Sequence, residues 1–268
     1  MRFSPVLLVP VLIAIIVVTA VTYAVPSSQG NGGYQGDPSV PHPVPRVANK
    51  DGTSENWGGY GIQTNLGAPQ VNAVTDVKGS WVVPAVDCTV TPTGYSSLWI
   101  GIDGYSSNTV EQIGTDSDCS SGTPHYSAWY EIYPKASKNV NMAIRPGDVM
   151  IAEVQYLGSG SFLLSMTDLT TGASFSTTEK SNKAERSSAE WVAEAPSTGN
   201  NKVLNLADYG TAYFTSAQAT LNGHTGTISD PAWQNDAVLT QYANGTVKAM
   251  PSPLSSDGSA FSVSWMHQ

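Results

Sequence analysis

The stretch Ser97-Leu98-Trp99-Ile100-Gly101-Ile102-Asp103-Gly104 decides the fold class that this chain is expected to adopt. Apolar and polar residues alternate along it with the two-residue period of a β-strand. Three aliphatic side chains share one face, which predicts contact with a hydrophobic core. Trp99, Gly101 and Asp103 share the other face, a combination that suits a water-filled groove better than a hydrophobic interior. The pattern therefore predicts one wall of a groove.

The next strand is predicted at Thr109-Val110-Glu111-Gln112-Ile113-Gly114-Thr115, after a turn over residues 104–108. Glu111 and Gln112 are neighbours in the chain, so their side chains point to opposite faces of a strand. Because the first strand already places Asp103 in the groove, we expect Gln112 to face the groove as well. Glu111 then faces away from it.

From Ser54 onward the chain is predicted to form short strands separated by turns, in one domain of residues 54–268. Gly158-Ser159-Gly160 and Thr170-Thr171-Gly172 are hairpin loops. Strands at this spacing indicate a β-sandwich of two antiparallel sheets, an all-β fold. The predicted strands are Asn56–Gln63, Gly79–Val83, Leu98–Asp103, Thr109–Thr115, Ser127–Pro134, Asp148–Leu157, Ser161–Leu169, Ser188–Glu194, Val203–Leu206, Tyr213–Leu221, Asp236–Gln241 and Ala260–Trp265.

The chain is acidic and has few charges. Charged residues make up 12% of it, against about 25% in an average soluble protein. Asp and Glu number 21 against 12 Lys and Arg, for a formal charge of −9. A nucleic acid needs a basic surface, so nucleic acid is not expected as a partner. Few ion pairs can be lost when carboxylates are protonated, which favours tolerance of acid.

The N-terminal residues are predicted to lie outside the folded domain. Residues 1–24 combine Arg2 with an apolar run and small residues near a possible cleavage point, as a secretion signal does. An uncleaved anchor is the alternative, because about 20 apolar residues span a bilayer. Residues 25–53 are rich in Pro, Gly and Ser and predict a pro-segment or linker. Arg46 and Lys50 would let this segment mask the acidic domain; a plain spacer is the alternative. We expect a secreted protein whose mature domain is free of the membrane.

Cys88 and Cys119 predict one disulfide, since an exported chain with an even number of cysteines usually pairs them. Two unpaired buried thiols are the alternative. No metal site is expected, because no further Cys or His stands at ligand spacing and the acidic turn Asp116-Ser117-Asp118 lacks the rest of a calcium loop. The sequence also lacks the Gly-x-Ser-x-Gly and His-Glu-x-x-His motifs of serine and zinc hydrolases.

Two further predicted strands carry carboxylates beside tryptophans. Trp129 and Glu131 share one face of the first, and Glu190 and Glu194 share one face of the second. A glutamate that points outward from a strand is usually solvated surface. Charged residues are scarce in this chain, so a gathering of carboxylates beside aromatic residues favours a functional groove.

These segments together resemble the glutamic peptidases, or eqolisins. Five blocks occur in the order that this family has them, and the match covers the chain from about Ser54 to its end. The blocks are Asn56-Trp57-Gly58-Gly59-Tyr60, Trp99-Ile100-Gly101-Ile102-Asp103-Gly104, Glu111-Gln112-Ile113-Gly114-Thr115, Ala128-Trp129-Tyr130-Glu131-Ile132-Tyr133-Pro134 and Ala189-Glu190-Trp191-Val192-Ala193-Glu194.

The resemblance implies a sandwich with the architecture of legume lectins and glucanases, and a secreted acid endopeptidase that pepstatin does not inhibit. It implies that Gln112 and Glu194 are the catalytic pair. It also implies that four residues line or support the site. A polypeptide substrate, a monomer and the absence of a cofactor are expected with it. The four residues are Trp99, Asp103, Trp129 and Glu131.

This chain departs from the family pattern at two places. Members often have Asp before Ala-Trp-Tyr-Glu, where this chain has Ser127, and Asp-Phe after the catalytic glutamate, where it has Ala195-Pro196. The first puts a supporting hydrogen bond in question, and the second alters the backbone beyond the base. Neither removes a catalytic group.

The implied chemistry is physically reasonable. A glutamate has a reference pKa of about 4.3 and is partly ionised in mild acid. Glu194 would accept a proton from water, and the amide of Gln112 would donate to the developing oxyanion. A neutral amide partner would let Glu194 titrate alone, whereas two adjacent carboxylates share a proton.

Two other classes remain open from the residues alone. Aromatic residues and two acids such as Glu131 and Glu194 would also suit a glycoside hydrolase. A secreted lectin without catalysis is the other alternative. Gln112 discriminates between them, since a two-carboxylate glycosidase has no evident use for it.

Overall fold

The computed structural model describes residues 52–198 and 202–268, and these ranges contain sixteen β-strands. The predicted signal of residues 1–24 and almost all of the predicted segment 25–53 lie outside the described residues. Within the described ranges no helix is long and apolar enough to cross a membrane. The all-β prediction is confirmed for this part of the chain.

The strands follow one another along the described chain with short connections. Their bounds are β1 Thr53–Ser54, β2 Trp57–Gln63, β3 Val74–Val82, β4 Ser97–Ile102, β5 Val110–Ser120, β6 Thr123–Tyr133, β7 Lys138–Val140, β8 Val149–Gly158, β9 Ser161–Asp168, β10 Ser174–Lys180, β11 Ser188–Glu194, β12 Thr211–Leu221, β13 His224–Thr227, β14 Gln234–Gln241, β15 Val247–Pro251 and β16 Phe261–Trp265.

Two antiparallel layers make up the fold. One layer has the strand order β10-β9-β8-β3-β12-β16-β15-β14, and the other has the order β2-β11-β4-β5-β6-β7. Strand β14 pairs with both β15 and β2 and so connects the layers at one edge. The short strand β1 pairs with β14 in parallel, and β13 extends the β12 hairpin. The predicted antiparallel sandwich is therefore confirmed.

The main hydrophobic core fills the space between the two layers. Strand β11 shows how the sequence builds it: Ala189, Trp191 and Ala193 point into this core, as their two-residue spacing predicts. The indole nitrogen of Trp191 donates to the carbonyl of Lys78 on the opposite layer at 2.7 Å. A buried tryptophan needs such an acceptor for its N–H, so this hydrogen bond fixes one layer against the other.

The predicted strands agree with the observed ones where alternation is strong. Ser188–Glu194 is identical to the observed strand. The prediction of a strand at Val203–Leu206 is wrong, because that segment forms only isolated bridges. Strand β10 was missed because it lies at the sheet edge, and Phe175 is its one apolar residue.

Asp103 does not continue strand β4, which ends at Ile102. Its backbone has a φ of 72°, in the left-handed region, so the alternation of side chains breaks at this residue. Its buried carboxylate accepts the backbone N–H groups of Arg186 at 2.7 Å and Ser187 at 2.8 Å. Asp103 therefore fastens the segment before β11 instead of lining a groove with Trp99, and the prediction of its orientation is wrong.

Cys88 and Cys119 form the predicted disulfide, which is confirmed. It joins the connection after β3 to strand β5, close to a bridge between Gly94 and Cys119. The two cysteines are 31 positions apart in the chain. Cross-linking a segment of this length reduces the conformational entropy of the unfolded chain.

We therefore expect a Cys88→Ala/Cys119→Ala double variant to lose about 3–4 kcal/mol of unfolding free energy. Urea unfolding in acid would measure the loss, and the wild-type protein with its disulfide reduced should unfold at the same urea concentration as the variant. An unchanged midpoint in the double variant would contradict the expectation.

Candidate active site

The site is built on the face of the second layer that points away from the main core. Glu194 of β11 stands opposite Trp57 on one side and Ser97 on the other. Gln112 of β5 stands opposite Gly101 on one side and Glu131 on the other. In a sheet, residues in register point to the same face. The register therefore brings the predicted pair to one face of the sheet.

Glycines leave the space that the large side chains of this face occupy. A Cβ on Gly114 would come within 2.4 Å of the Leu98 carbonyl and 2.6 Å of the Trp99 Cβ. A Cβ on Gly101 would meet the Cβ of Gln112 at 3.1 Å. The glycines of the Ile-Gly-Ile and Gln-Ile-Gly segments therefore make room for Trp99 and Gln112.

The side-chain amide of Gln112 contacts Glu131. Its nitrogen donates to Oε2 of Glu131 at 2.6 Å, while its own oxygen has no hydrogen-bond partner among the described residues. Both side chains are buried. The hydrogen bond fixes the orientation of the amide, with its N–H groups on the Glu131 side.

Glu194 is held by two neutral donors. The side-chain nitrogen of Asn56 donates to Oε1 at 2.8 Å, and the indole nitrogen of Trp99 donates to Oε2 at 2.7 Å. The carboxyl is fully shielded from solvent. The rings of Trp57 and Trp99 pack edge to face beside it, with centroids 4.9 Å apart. These contacts fix both oxygens of Glu194 in place.

Burial raises the pKa of Glu194 well above its usual value, because a charged carboxylate is poorly solvated there. The hydrogen bonds from Trp99 and Asn56 oppose this rise, and the charge of Glu131 adds to it. The shielding of Glu194 therefore favours its protonated form.

Glu131 behaves in a similar way. Burial raises its pKa to about 8, and the hydrogen bond from Gln112 opposes the rise. The charge of Glu131 adds to the rise in the pKa of Glu194, and the single titration of Glu194 stays a prediction. The site contains two interacting carboxyls and one amide.

Aromatic side chains form a second apolar cluster on this face. It is distinct from the main core, and two of its members, Trp57 and Trp99, lie beside Glu194. Its members are Trp57, Trp99, Tyr105, Val110, Trp129, Val192 and Val238. Trp99 and Trp129, both predicted as site residues, thus lie together with the catalytic candidates.

Tyr105 closes one side of this face. Its ring lies over Gly61, where an added Cβ would meet a ring carbon at 2.7 Å. Its hydroxyl donates to Oδ2 of Asp236 at 2.5 Å, which ties the ring to strand β14. The crevice between Tyr105, Gly59 and Val192 has no room for a water molecule. This part of the face is therefore filled by side chains.

Ser127, at the first departure from the family pattern, keeps a supporting hydrogen bond. Its hydroxyl donates to Oδ2 of Asp116 at 3.2 Å, and Ser97 donates to the other oxygen of that carboxyl. Asp116 and Asp118 lie within strand β5, so the prediction of an acidic turn is wrong. At the second departure, the N–H of Ala195 donates to the Asn56 carbonyl at 2.8 Å. Among the described residues no group of three His, Cys, Asp or Glu side chains could hold a metal ion.

Two further buried carboxyls, those of Glu111 and Glu190, lie on strands β5 and β11. Glu111 is buried and points away from Gln112, as predicted, and a hydrogen bond from Ser181 opposes the rise in its pKa. Glu190 has one unpartnered oxygen and accepts the backbone N–H of Tyr105 at 3.3 Å. Burial raises the pKa of Glu111 and of Glu190 well above the usual value, and the charge of Asp103 raises both further.

Sequence reasoning missed Asn56 as a contact of Glu194. Asn56 belongs to the first block of the resemblance, but it precedes the strand and is far from Glu194 in the chain, so alternation gave no reason to place it there. The contact follows from the pairing of β2 with β11, which places Glu194 opposite Trp57, the residue after Asn56.

A buried amide donor and a carboxyl on one sheet face are the groups that a hydrolase of the acid–base class needs. Comparison with known proteins makes the class specific. The chain matches the model of the Peptidase A4 family over residues 55–259 and belongs to that family. It is accordingly a glutamic peptidase of the eqolisin type and hydrolyses peptide bonds. The glycoside hydrolase and lectin alternatives are set aside.

Individual relatives agree with this assignment. Aspergillopepsin-2 of Aspergillus niger is 29% identical over 240 residues, which cover 78% of this chain and 82% of that protein. The crystal structure of aspergilloglutamic peptidase from Aspergillus niger has a TM-score of 0.57 and 29% identity, covering 65% of this chain and 99% of that one. The structure of scytalido-glutamic peptidase with a transition state analog inhibitor has a TM-score of 0.65 and 23% identity, covering 80% and 99%, and supports the fold.

The burial of the Glu111 carboxyl generates a prediction for stability. Because its pKa is raised in the folded state, the folded protein binds a proton that the unfolded chain has already released above about pH 4.5. Stability is therefore retained in acid and falls as the pH rises toward the folded-state pKa. Glu111→Gln removes this ionisation, so we expect a higher melting temperature than wild type near pH 7 and a similar one near pH 3.

Thermal unfolding followed by circular dichroism at both pH values would test this. The matched control is Glu185→Gln, which changes an exposed glutamate in the segment before β11. An equal gain in the control, or a gain for Glu111→Gln that is the same at both pH values, would refute the explanation.

Proposed function

We propose that this glutamic peptidase uses Gln112 and Glu194 as its catalytic pair, in an endopeptidase that acts in acid. The observation that carries the proposal is their arrangement on one sheet face. Gln112 is hydrogen-bonded to Glu131, and the charge of Glu131 reaches Glu194. The amide and the carboxyl are thus connected through a single side chain.

Glu194 acts on the nucleophilic water. In its ionised form it takes a proton from the water that attacks the scissile carbonyl, and it then gives that proton to the leaving amine. Trp99 and Asn56 hold its two oxygens, so the carboxyl keeps one orientation through both transfers.

Gln112 stabilises the negative charge that develops on the carbonyl oxygen. A single amide donor of this kind contributes about 3–4 kcal/mol where one has been removed in other hydrolases. Its nitrogen now donates to Glu131, so the oxyanion must either share or replace that hydrogen bond. Glu131, neutral in acid because its pKa is raised to about 8, is a weaker competitor for the donor than a carboxylate would be.

The substrate is an extended polypeptide that lies across the strands between Trp99 and Trp129. The closed crevice beside Tyr105 has no space for a side chain of the substrate. A substrate side chain can enter this crevice only when Tyr105 moves away from Gly61, and water that enters with the substrate lowers the desolvation of Glu194. The rising side of the activity profile with pH then follows the ionisation of Glu194.

The segments outside the described residues receive the roles that the sequence predicted. Residues 1–24 direct secretion, and residues 25–53 are a pro-segment or spacer. The buried disulfide suits a compartment outside the reducing cytoplasm. Mass spectrometry of the secreted, active protein would test maturation: a mature N-terminus near Thr53 is expected, and one near Val25 would exclude masking by the pro-segment.

Glu194→Gln and Gln112→Ala are each expected to lower kcat/KM in acid by at least about 100-fold, because one removes the base and the other an oxyanion donor. Hydrolysis of casein or haemoglobin between about pH 3 and pH 5 would measure it, with near-ultraviolet circular dichroism to verify folding.

Pepstatin provides the control for a contaminating aspartic peptidase. We expect the same rate with and without it for the wild type. Folded Glu194→Gln protein with wild-type activity would remove the catalytic assignment and leave the family membership intact.

A further inference from the structure

Glu194 has a neutral environment for a residue that must ionise. The groups facing it are the indoles of Trp57 and Trp99, the amide of Asn56 and the carboxyl of Glu131. Asp116 is further along the face and is held by Ser97. None of these side chains is a cation. The carboxylate form of Glu194 therefore depends on its neutral hydrogen-bond donors.

The orientation of the Asn56 amide is set by Ser54. The Ser54 hydroxyl accepts the backbone N–H groups of Asn56 at 3.3 Å and Trp57 at 3.1 Å, and it donates its proton to Oδ1 of Asn56 at 3.0 Å. An amide whose oxygen already accepts must present its nitrogen to the other side. That nitrogen faces Oε1 of Glu194.

The backbone around Asn56 is anchored at two points. Its carbonyl accepts the N–H of Ala195, the residue after Glu194, at 2.8 Å. The preceding carbonyl, that of Glu55, accepts the ammonium of Lys248 at 2.9 Å. Lys248 is 2% exposed, and its ammonium lies 5.0 Å from the ring centroid of Tyr242.

A buried lysine is costly and needs an explanation. Burial lowers the pKa of Lys248 to about 8, while the nearby charge of Glu55 opposes this. In acid the side chain is therefore still an ammonium, and its hydrogen bond to the Glu55 carbonyl is charge-assisted. This bond holds the turn Ser54–Asn56 against strand β15.

We propose that Asn56 is a positioning residue for catalysis, which holds Glu194 in its ionised and correctly oriented form, and that Lys248 fixes Asn56 through the Glu55 carbonyl. This inference rests on the proposed role of Glu194. It assigns a catalytic consequence to a lysine that has no described contact with the catalytic pair.

The first test is the pH profile of kcat/KM for Asn56→Ala. Removing a donor to the carboxylate makes its ionised form less stable. The rising limb of the profile, where kcat/KM increases with pH, should therefore move to higher pH by about 1–2 units. Asn56→Asp keeps the shape of the side chain and exchanges the amide for an acid, and it should move the limb in the same direction. This second variant keeps the test valid if the alanine variant does not fold. Ser54→Ala should give a smaller shift, because the Asn56 amide is then free to rotate.

Lys248→Met tests the longer connection. It should shift the rising limb upward in the wild-type background and add nothing in an Asn56→Ala background, because both changes act through one hydrogen bond. The matched control is Lys78→Met, which removes a half-exposed lysine paired with Glu153 on the other layer and should leave the limb unchanged. Melting temperatures measured at each pH separate a shift of the limb from a loss of folded protein.

The outcomes distinguish this inference from the proposed function. If Glu194→Gln is inactive but both folded Asn56 variants keep the wild-type limb, Glu194 remains catalytic and the positioning role is refuted. If Glu194→Gln stays active, the catalytic assignment itself is wrong. Additive shifts from Lys248→Met and Asn56→Ala would refute the connection through Glu55.

Discussion

The antiparallel pairing of β11 with strands on both sides is the interaction on which the site depends. Its register places Glu194 between Trp57 and Ser97, and Glu190 between Gly61 and Gly101. Alternation sends Trp191 from the same strand into the core, where its hydrogen bond to the Lys78 carbonyl fixes the layer. A slip of one residue would exchange the two faces and bury the carboxyls between the layers. The catalytic geometry and the core are therefore specified by one register.

The second constraint is that several carboxyls are buried with few cations near them. It explains why the folded protein is expected to be stable in acid. Glu111, Glu131, Glu190 and Glu194 all have a raised pKa for the same first reason, the loss of solvation. Protonated carboxyls are inexpensive to bury, whereas each ionisation in the interior opposes folding. The low share of charged residues, read from sequence as tolerance of acid, thus has a specific structural counterpart. In the proposed mechanism the ionisation of Glu194 supports catalysis, while ionisation of its neighbours limits stability toward neutral pH.

Sequence predicted those parts of the fold and site that local alternation controls. It gave the bounds of Ser188–Glu194, the opposite orientations of Glu111 and Gln112, and the disulfide. The orientation of the Asp103 side chain was predicted wrongly because Asp103 has a left-handed backbone conformation just after β4. In an Asp-Gly pair either residue can adopt that conformation, so the sequence does not show where the strand ends. Asn56 and Lys248 were missed for another reason. Their contacts join segments 138 and 193 residues apart, and no periodicity within either segment reports such a contact.

The choice of donors for Glu194 follows from what each type of group would do to its proton. An arginine or lysine in place of Asn56 would stabilise the carboxylate so strongly that the protonated form, which the proposed mechanism needs for the leaving amine, would become rare in mild acid. With apolar contacts alone, the carboxyl of Glu194 would have no hydrogen bond to stabilise its ionised form. Two neutral N–H donors counter part of the desolvation without adding a charge. The cation that supports this arrangement, Lys248, contacts the backbone of the preceding residue instead of the carboxyl, so it gives rigidity without its full electrostatic effect.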